Sequence, residues 1–332
     1  MKKLRFALIG AGKMGTRWAG VISKCSKASL NFIVDSQMEN AYHLAEQFPD
    51  CDVTNFAGVL RNKSIDAVLI AIPHKYLAEY TAYALYSGKH VLCEKPGAIK
   101  AEQIKKNIAL AKEEGLTYMI GYNCRYHDGF IKARKLFNQN AIGKLLFIRA
   151  RFGFGGRIGY DKEWRINKEI SGGGHLHDQG VHMIDMAMSF MGKIKAVKGF
   201  MADTFWKAGT EDNGFVLLKG EDGVIASIHS SLTQWKRMHN FEIYGTEGYL
   251  EVQGLGMRYG NPERLIFGKR TSDPDKVREK IIKCNPIADN SLKLELEEFI
   301  SAIKGKRPTT PSAQDAYGTL KIVEEVYRTN KI

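Results

Sequence analysis

The run Gly172-Gly173-Gly174-His175-Leu176-His177-Asp178-Gln179-Gly180-Val181-His182-Met183-Ile184-Asp185 holds the densest set of groups able to move a proton. Asp178, His182 and Asp185 stand four and three residues apart, so on one helix they share a face. The imidazole of His182 exchanges a proton near neutral pH. Asp178, one turn earlier, can orient the ring and bias its protonation. Asp185 reads as structural, and His182 taken alone reads equally well as a satisfied core histidine. The glycines let the segment start close to a bound ligand. His175, His177, Asp178 and His182 could also offer ligands to zinc, but their spacing matches no compact zinc motif, so no metal is expected.

A second set lies near the N-terminus. The apolar run Leu4 to Ile9 ends in Gly10-x-Gly12-x-x-Gly15, with Lys13 and Met14 inside the motif, and a helical pattern follows through Trp18, Val21 and Ile22. Strand, glycine turn and helix in that order point to a dinucleotide-binding unit. Gly10 permits the turn, Gly12 admits a pyrophosphate to the helix N-terminus, and Gly15 lets helix and strand pack closely. Asp35 ends the next strand about twenty residues past the last glycine, where an acid bonds ribose hydroxyls. Its charge disfavours a 2′-phosphate. NAD is the expected cofactor, with NADP the alternative because Ser36 and Arg17 could help a phosphate.

The elements that carry these groups alternate. Strands around Val53 and over 65–72, 89–93 and 116–120 are separated by helices over 39–48, 56–60, 76–86 and 101–114. This predicts a parallel sheet covered on both faces, with ligands at the C-terminal strand ends. Ile72-Pro73-His74, Glu94-Lys95-Pro96 and Tyr122-Asn123 fall at such ends. Beyond a helix over 130–139 and a strand over 144–154 the pattern changes. Strands over 196–202, 212–218, 224–232, 240–244 and 249–253 have hairpin signals between them. An exposed loop is expected over 268–277, and helices over 291–303 and 312–328, the last capped by Ser312. Arg125, Arg157, Tyr160, Trp164, Arg165 and Trp235 crowd the loops of this half, where aromatic faces and guanidinium donors suit a polyhydroxylated or anionic ligand.

The chain has 332 residues and a net charge of +13. Its lysines and arginines are dispersed among acids, which reads as the surface of an enzyme rather than a nucleic-acid interface. The five cysteines form no CxxC pair, so neither a disulfide framework nor a structural zinc site is indicated. No apolar stretch reaches transmembrane length and Met1-Lys2-Lys3 leads straight into a strand; a cytoplasmic protein is expected.

Together, Gly10-x-Gly12-x-x-Gly15, Asp35, Glu94-Lys95-Pro96, Gly121-Tyr122-Asn123-x-Arg125 and Gly172-Gly173-Gly174-x-x-x-Asp178-x-Gly180-x-His182-x-x-Asp185 resemble the family of glucose-fructose oxidoreductase, inositol dehydrogenase and MocA-like proteins (Gfo/Idh/MocA) over the whole length. The resemblance implies an α/β protein: an N-terminal Rossmann domain over 1–122, and a C-terminal α+β domain with a large open, mostly antiparallel sheet over 123–311. A C-terminal helix over 312–332 would pack back near the Rossmann domain. It implies hydride transfer between NAD(P) and a secondary hydroxyl, or keto group, of a sugar or cyclitol, by Lys95, Asp178 and His182. A nucleotide-sugar or surface-polysaccharide pathway oxidoreductase is the alternative, and a non-catalytic NAD-binding regulator a second. The implied cofactor contacts are Gly10, Gly12, Lys13, Met14, Gly15, Asp35, Ile72, Pro73, His74, Glu94, Lys95 and Asn123. The implied substrate contacts are Lys95, Tyr122, Arg125, Arg157, Tyr160, Trp164, Arg165, Asp178, His182 and Trp235. A homodimer or homotetramer through the C-terminal sheet is expected, with neither nucleic acid nor membrane as partner. Many relatives read Pro-Asn-x-x-His where this chain has Pro73-His74-Lys75-Tyr76-Leu77, so the nicotinamide-side contacts are expected to differ.

Overall fold

The computed structural model describes residues 3–256, 259, 262–273, 276–284 and 289–330. Met1 and Lys2, quoted above at the first strand, and positions 331 and 332 of the last helical segment lie outside them. Contacts within the chain divide it into two units, Met1–Tyr122 with Leu292–Gly318, and Asn123–Ser291 with Thr319–Ile332.

In the first unit six strands form one parallel sheet: β1 (Leu4–Ile9), β2 (Ala28–Val34), β3 (Asp52–Val53), β4 (Ala67–Ile70), β5 (His90–Glu94) and β6 (Tyr118–Gly121). Their order is β3-β2-β1-β4-β5-β6. The order reverses between β1 and β4, so their C-terminal ends flank the crevice where ligands bind in such sheets. The helices between them are α1 (Lys13–Ser23), α2 (Met38–Ala45), α3 (Phe56–Arg61), α4 (His74–Tyr86) and α5 (Ala101–Glu113). Phe6, Leu8, Val68, Leu69, Val91, Leu92 and Met119 are buried between the layers, which is why these strands read as unbroken apolar runs.

The second unit holds α6 (Asp128–Asn138), the long strand β7 (Leu145–Gly153), a short helix α7 (Lys168–Ser171) and α8 (Val181–Met191). Then follow β8 (Ile194–Ala202), β9 (Asn213–Gly220), β10 (Ile225–Ser231), β11 (Met238–Gly245), β12 (Gly248–Gln253), β13 (Arg264–Arg270) and β14 (Val277–Lys283). The eight strands order as β14-β13-β12-β11-β7-β10-β9-β8. Every pair is antiparallel except β7 with β10. Alternation gives one apolar face, with Ile148, Ala150, Val216, Ile228, Phe241, Ile243 and Leu250 buried. Phe130 of α6 and Phe190 of α8 pack on Phe241, with ring centroids 5.3 and 6.1 Å away. On the other face Phe147 stacks on Tyr244, and Tyr244 on Tyr249, in a row across three strands.

The loop expected over 268–277 is corrected. Residues 268–270 belong to β13, Val277 opens β14, and 274 and 275 lie outside the described residues. The polar residues 271–273 and 276 lie between the two strands, and the charges of β14 itself sit on an exposed edge, where they discourage further pairing. Gly268 lies beneath the Tyr249 ring, which a Cβ there would strike.

The last helices, α9 (Ser291–Gly305) and α10 (Ala313–Thr329), fall where expected. Ser312 Oγ accepts from Asp315 N at 3.2 Å while Asp315 accepts from Ser312 N at 2.7 Å, a capping box. The division of the chain differs from the expected 123–311. Leu292–Gly318 groups with the first unit, because Phe299 of α9 packs on Phe6 of β1, centroids 6.1 Å apart. From Thr319 on, the chain groups with the second unit. No described helix is long and apolar enough to cross a membrane.

Candidate active site

The dinucleotide half is built on β1, α1 and β2. Gly10 has φ +104°, and a Cβ there would strike the carbonyl oxygen of Ala71. A Cβ at Gly15 would strike the carbonyl oxygen of Gly10. Gly12 is different: a Cβ there would meet nothing within 4 Å. It is the N-cap of α1, in extended conformation and with no side-chain cap. Gly10 and Gly15 are thus demanded by the protein's own packing, whereas the bare backbone at Gly12 leaves room for a phosphate at a helix N-terminus. Lys13 and Met14 open that helix. Asp35 braces the loop: Oδ2 accepts from Ala11 N at 2.7 Å and Oδ1 from Gln37 N at 2.9 Å. Each oxygen keeps a further lone pair for a ribose hydroxyl. These residues fit a dinucleotide.

At the neighbouring strand ends, Ile72 and Pro73 are half-buried, and Pro73 caps α4. His74, the residue that departs from the common pattern, is buried in the first turn of α4, as is Leu77. Glu94 accepts from the indole of the buried Trp18 at 2.7 Å. Burial raises its carboxyl above the usual range, against the pull of Trp18 and Lys95. Lys95 follows, half-buried, in a turn closed by Gly97 N donating to Glu94 O at 3.1 Å. The peptide bond from Lys95 to Pro96 is cis. Tyr122 has no exposed surface.

In the second unit Leu176–Gly180 is a π-helical turn leading into α8. Uniform α periodicity would set Asp178 one turn before His182; the wider π turn changes that relation. Such turns gather at functional sites. Both side chains are buried. Asp178 Oδ2 accepts from Gln179 Nε2 at 3.0 Å and lies 3.7 Å from Arg165 Nε. Glu211, equally buried, accepts from Gly174 N at 2.9 Å and Leu176 N at 3.0 Å. Its Oε1 also accepts from the Tyr327 hydroxyl at 2.7 Å.

Most of the remaining expected contacts already have partners within the fold. Asn123 donates to Ser291 Oγ at 3.0 Å. Arg125 forms a bidentate pair with Asp185, Nε to Oδ2 at 2.7 Å and a terminal nitrogen to Oδ1 at 2.6 Å. Arg157 and Arg165 both donate to Glu163, at 2.6 and 3.3 Å. Arg165 also lies over the Trp164 ring, 4.6 Å from its centroid. Glu163 and Asp178, which is 3.7 Å from Arg165, together match the two guanidinium charges, which weakens the case for a phosphate there. Tyr160 is core, in a cluster with Phe154, Ile166 and Leu232, and burial raises its hydroxyl pKa, with Asp178 adding to the rise. Trp235 is 67% exposed and meets Phe205 edge-on at 4.8 Å.

The sequence reading missed Glu163, Gln179 and Glu211. Glu163 and Gln179 stand beside residues it did single out, but Glu211 is remote in sequence and carries no local signal.

Two family descriptions match in tandem. "Oxidoreductase family, NAD-binding Rossmann fold" covers residues 4–122, and "GFO/IDH/MocA C-terminal domain" covers 130–251. D-glucoside 3-dehydrogenase of Escherichia coli K12 is 28% identical, covering 98% of this chain and 95% of its own. The 2,7-anhydro-N-acetylneuraminate hydratase of the same organism is 26% identical, covering 83% and 76%. The crystal structure of aldose-aldose oxidoreductase from Caulobacter crescentus, complexed with glycerol, shares the fold with a TM-score of 0.87, at 24% identity over 98% and 97% of the two chains. With the glycine turn, Asp35 and the Gly172–Asp185 segment placed as above, the chain belongs to the Gfo/Idh/MocA family of NAD-binding oxidoreductases.

Proposed function

We propose that this oxidoreductase transfers hydride between NAD and a secondary hydroxyl, or the matching keto group, of a sugar or cyclitol. The observation that carries the reading is the buried Asp178–His182 segment at the head of α8 in a chain whose other unit is fitted for a dinucleotide. The similarity to D-glucoside 3-dehydrogenase supports a sugar substrate. Bound NAD supplies the hydride acceptor. His182 takes the hydroxyl proton as general base. Asp178, steadied by Gln179, sets the ring's orientation. The Lys95 ammonium donates to the substrate oxygen and favours the negative charge developing there. Asp35 directs the adenosine ribose and disfavours a 2′-phosphate, which makes NAD the preferred form. The pairing of Arg157 and Arg165 with the two carboxylates of Glu163 and Asp178 favours an uncharged sugar over a nucleotide-sugar diphosphate.

The test is a pair of variants, Lys95→Met and His182→Ala, assayed by NADH formation with aldoses, methyl glucosides and myo-inositol. Both are expected to bind NAD normally and lose turnover; normal turnover in both would refute the assignment. Thermal stabilisation by UDP- or dTDP-sugars but not by free sugars would overturn the substrate class.

The assembly proposed is a homo-oligomer through the open face of the eight-stranded sheet. Phe200, Phe215, Leu217 and Ile225 are exposed there. Light scattering of a Phe215→Lys, Leu217→Lys variant should report monomers.

A further inference from the structure

The triple glycine before Asp178 has a cause in the fold. A Cβ at Gly173 would strike the Tyr327 hydroxyl, and one at Gly174 would strike the backbone oxygen of Glu211. Glu211 joins these neighbours. Its two oxygens accept from Gly174 N, Leu176 N and the Tyr327 hydroxyl, and its own backbone oxygen accepts from His175 N at 3.0 Å. The Tyr327 ring lies nearly parallel to His177, 14° between planes and 6.4 Å between centroids. Tyr327 belongs to the last turns of α10, and Glu211 stands just ahead of β9, so two distant segments converge on one backbone stretch of a few residues.

We infer that Glu211 and Tyr327 are positioning residues that clamp residues 173–177 and thereby set the placement of Asp178 and His182. The inference rests on the proposed roles of those two side chains. Glu211 lies where a helix start has amide hydrogens to satisfy, and a carboxylate is the group best suited to them. The Tyr327 hydroxyl fixes that carboxylate in turn, and within the segment the His175 ring pairs with Ser230 Oγ at 2.5 Å. Burial raises the Glu211 carboxyl pKa, and the Tyr327 and backbone hydrogen bonds draw it back. Neither residue need touch substrate, since Gly173, Gly174 and Leu176 transmit the constraint through the main chain.

The test compares Tyr327→Phe and Glu211→Gln with the parent protein in two readouts. In the first, the protein carries 13C-labelled histidine, and the His182 ring signal is assigned by its loss in His182→Ala. The expected result is a displaced His182 signal in both variants, with the exposed His43 signal and the NAD dissociation constant unchanged. The second readout is steady-state turnover on the sugar panel. A loss of turnover of ~10²-fold with little change in KM is expected, the scale of a misplacement of about 1 Å. An unmoved His182 signal in folded Tyr327→Phe overturns the inference, as does an equal loss of NAD affinity. Should Glu211→Gln fail to fold, Tyr327→Phe decides, since it keeps the ring and removes one hydroxyl. Full turnover in His182→Ala would instead sink the proposed reaction, while the ring signal still judges the clamp.

Discussion

Arg125 separates a structural reading from a substrate-binding one, and replacing it with Met puts the two in opposition. The side chain of Asp185 is 1% exposed, and its bidentate bond to Arg125 spans two elements, the turn after β6 and α8. Removing one partner of a buried ion pair costs about 3–5 kcal/mol. A second guanidinium is near: Arg134, which lies over the Phe190 ring and donates to Ser189. Burial and the like charge of Arg125 push its pKa down to about 10, and Asp185 draws it back up. With Arg125 gone, that attraction persists, so the expected loss is near the lower bound, about 3 kcal/mol. At 2–4 °C per kcal/mol for a body of this size, the melting temperature should fall by roughly 6–12 °C. Calorimetry measures it, and a second variant carrying Asp185→Leu as well should recover much of the loss, because no buried carboxylate then remains. An unchanged melting temperature with a raised KM would refute the reasoning and return Arg125 to the substrate.

Three further outcomes are expected. Gly12→Ala should keep the parent melting temperature and lose NAD affinity by calorimetric titration, whereas Gly15→Ala should lower the melting temperature; the reverse pattern would contradict the fit of the glycine turn. Asp35→Ser should narrow the preference for NAD over NADP by about tenfold, the value of 1.4 kcal/mol, and an unchanged ratio of dissociation constants would place the ribose elsewhere. His239 lies edge-on to Phe130 and Phe152, and burial, helped by His127, lowers its pKa from 6.5 to about 3. Between those values the unfolded chain binds a proton that the native state does not, so stability falls as pH drops through that window. His239→Phe should therefore flatten the acid limb of a urea-stability profile, and a limb of unchanged slope would show that another group sets it.

What could be read from the sequence was what is local. Gly10, Gly15 and Asp35 announce themselves because a tight turn, a close packing and a strand-end acid each have a fixed spacing along the chain. The parallel strands were legible because burial on both faces leaves an unbroken apolar run, as in Ala67–Ile70. The π-helical turn was not legible, since nothing in Leu176–Gly180 distinguishes a five-residue hydrogen-bonded turn from an α turn. The partners of the loop arginines were hidden for a related reason: a guanidinium invites a ligand until its carboxylate is located, and Asp185 lies 60 residues from Arg125. Tyr160 looked like a ligand-stacking ring by composition, and only packing with Phe154 and Leu232 makes it core. β14 left no strand signal because a solvent-facing edge strand sheds the apolar alternation that identifies inner ones.

The place of β7 bears on how the sheet is made. It is the first of the eight strands in the chain, yet its two neighbours, β10 and β11, come much later. A growing chain therefore carries Leu145–Gly153 with both edges open until Ser231, and with one edge open until Gly245. The strands made in between form a meander, β8 to β9 to β10, that can pair with itself while β7 waits. Fragments cut between Gly153 and Met238 should be the aggregating ones, and those ending beyond Gly245 should spare a chaperone the strand.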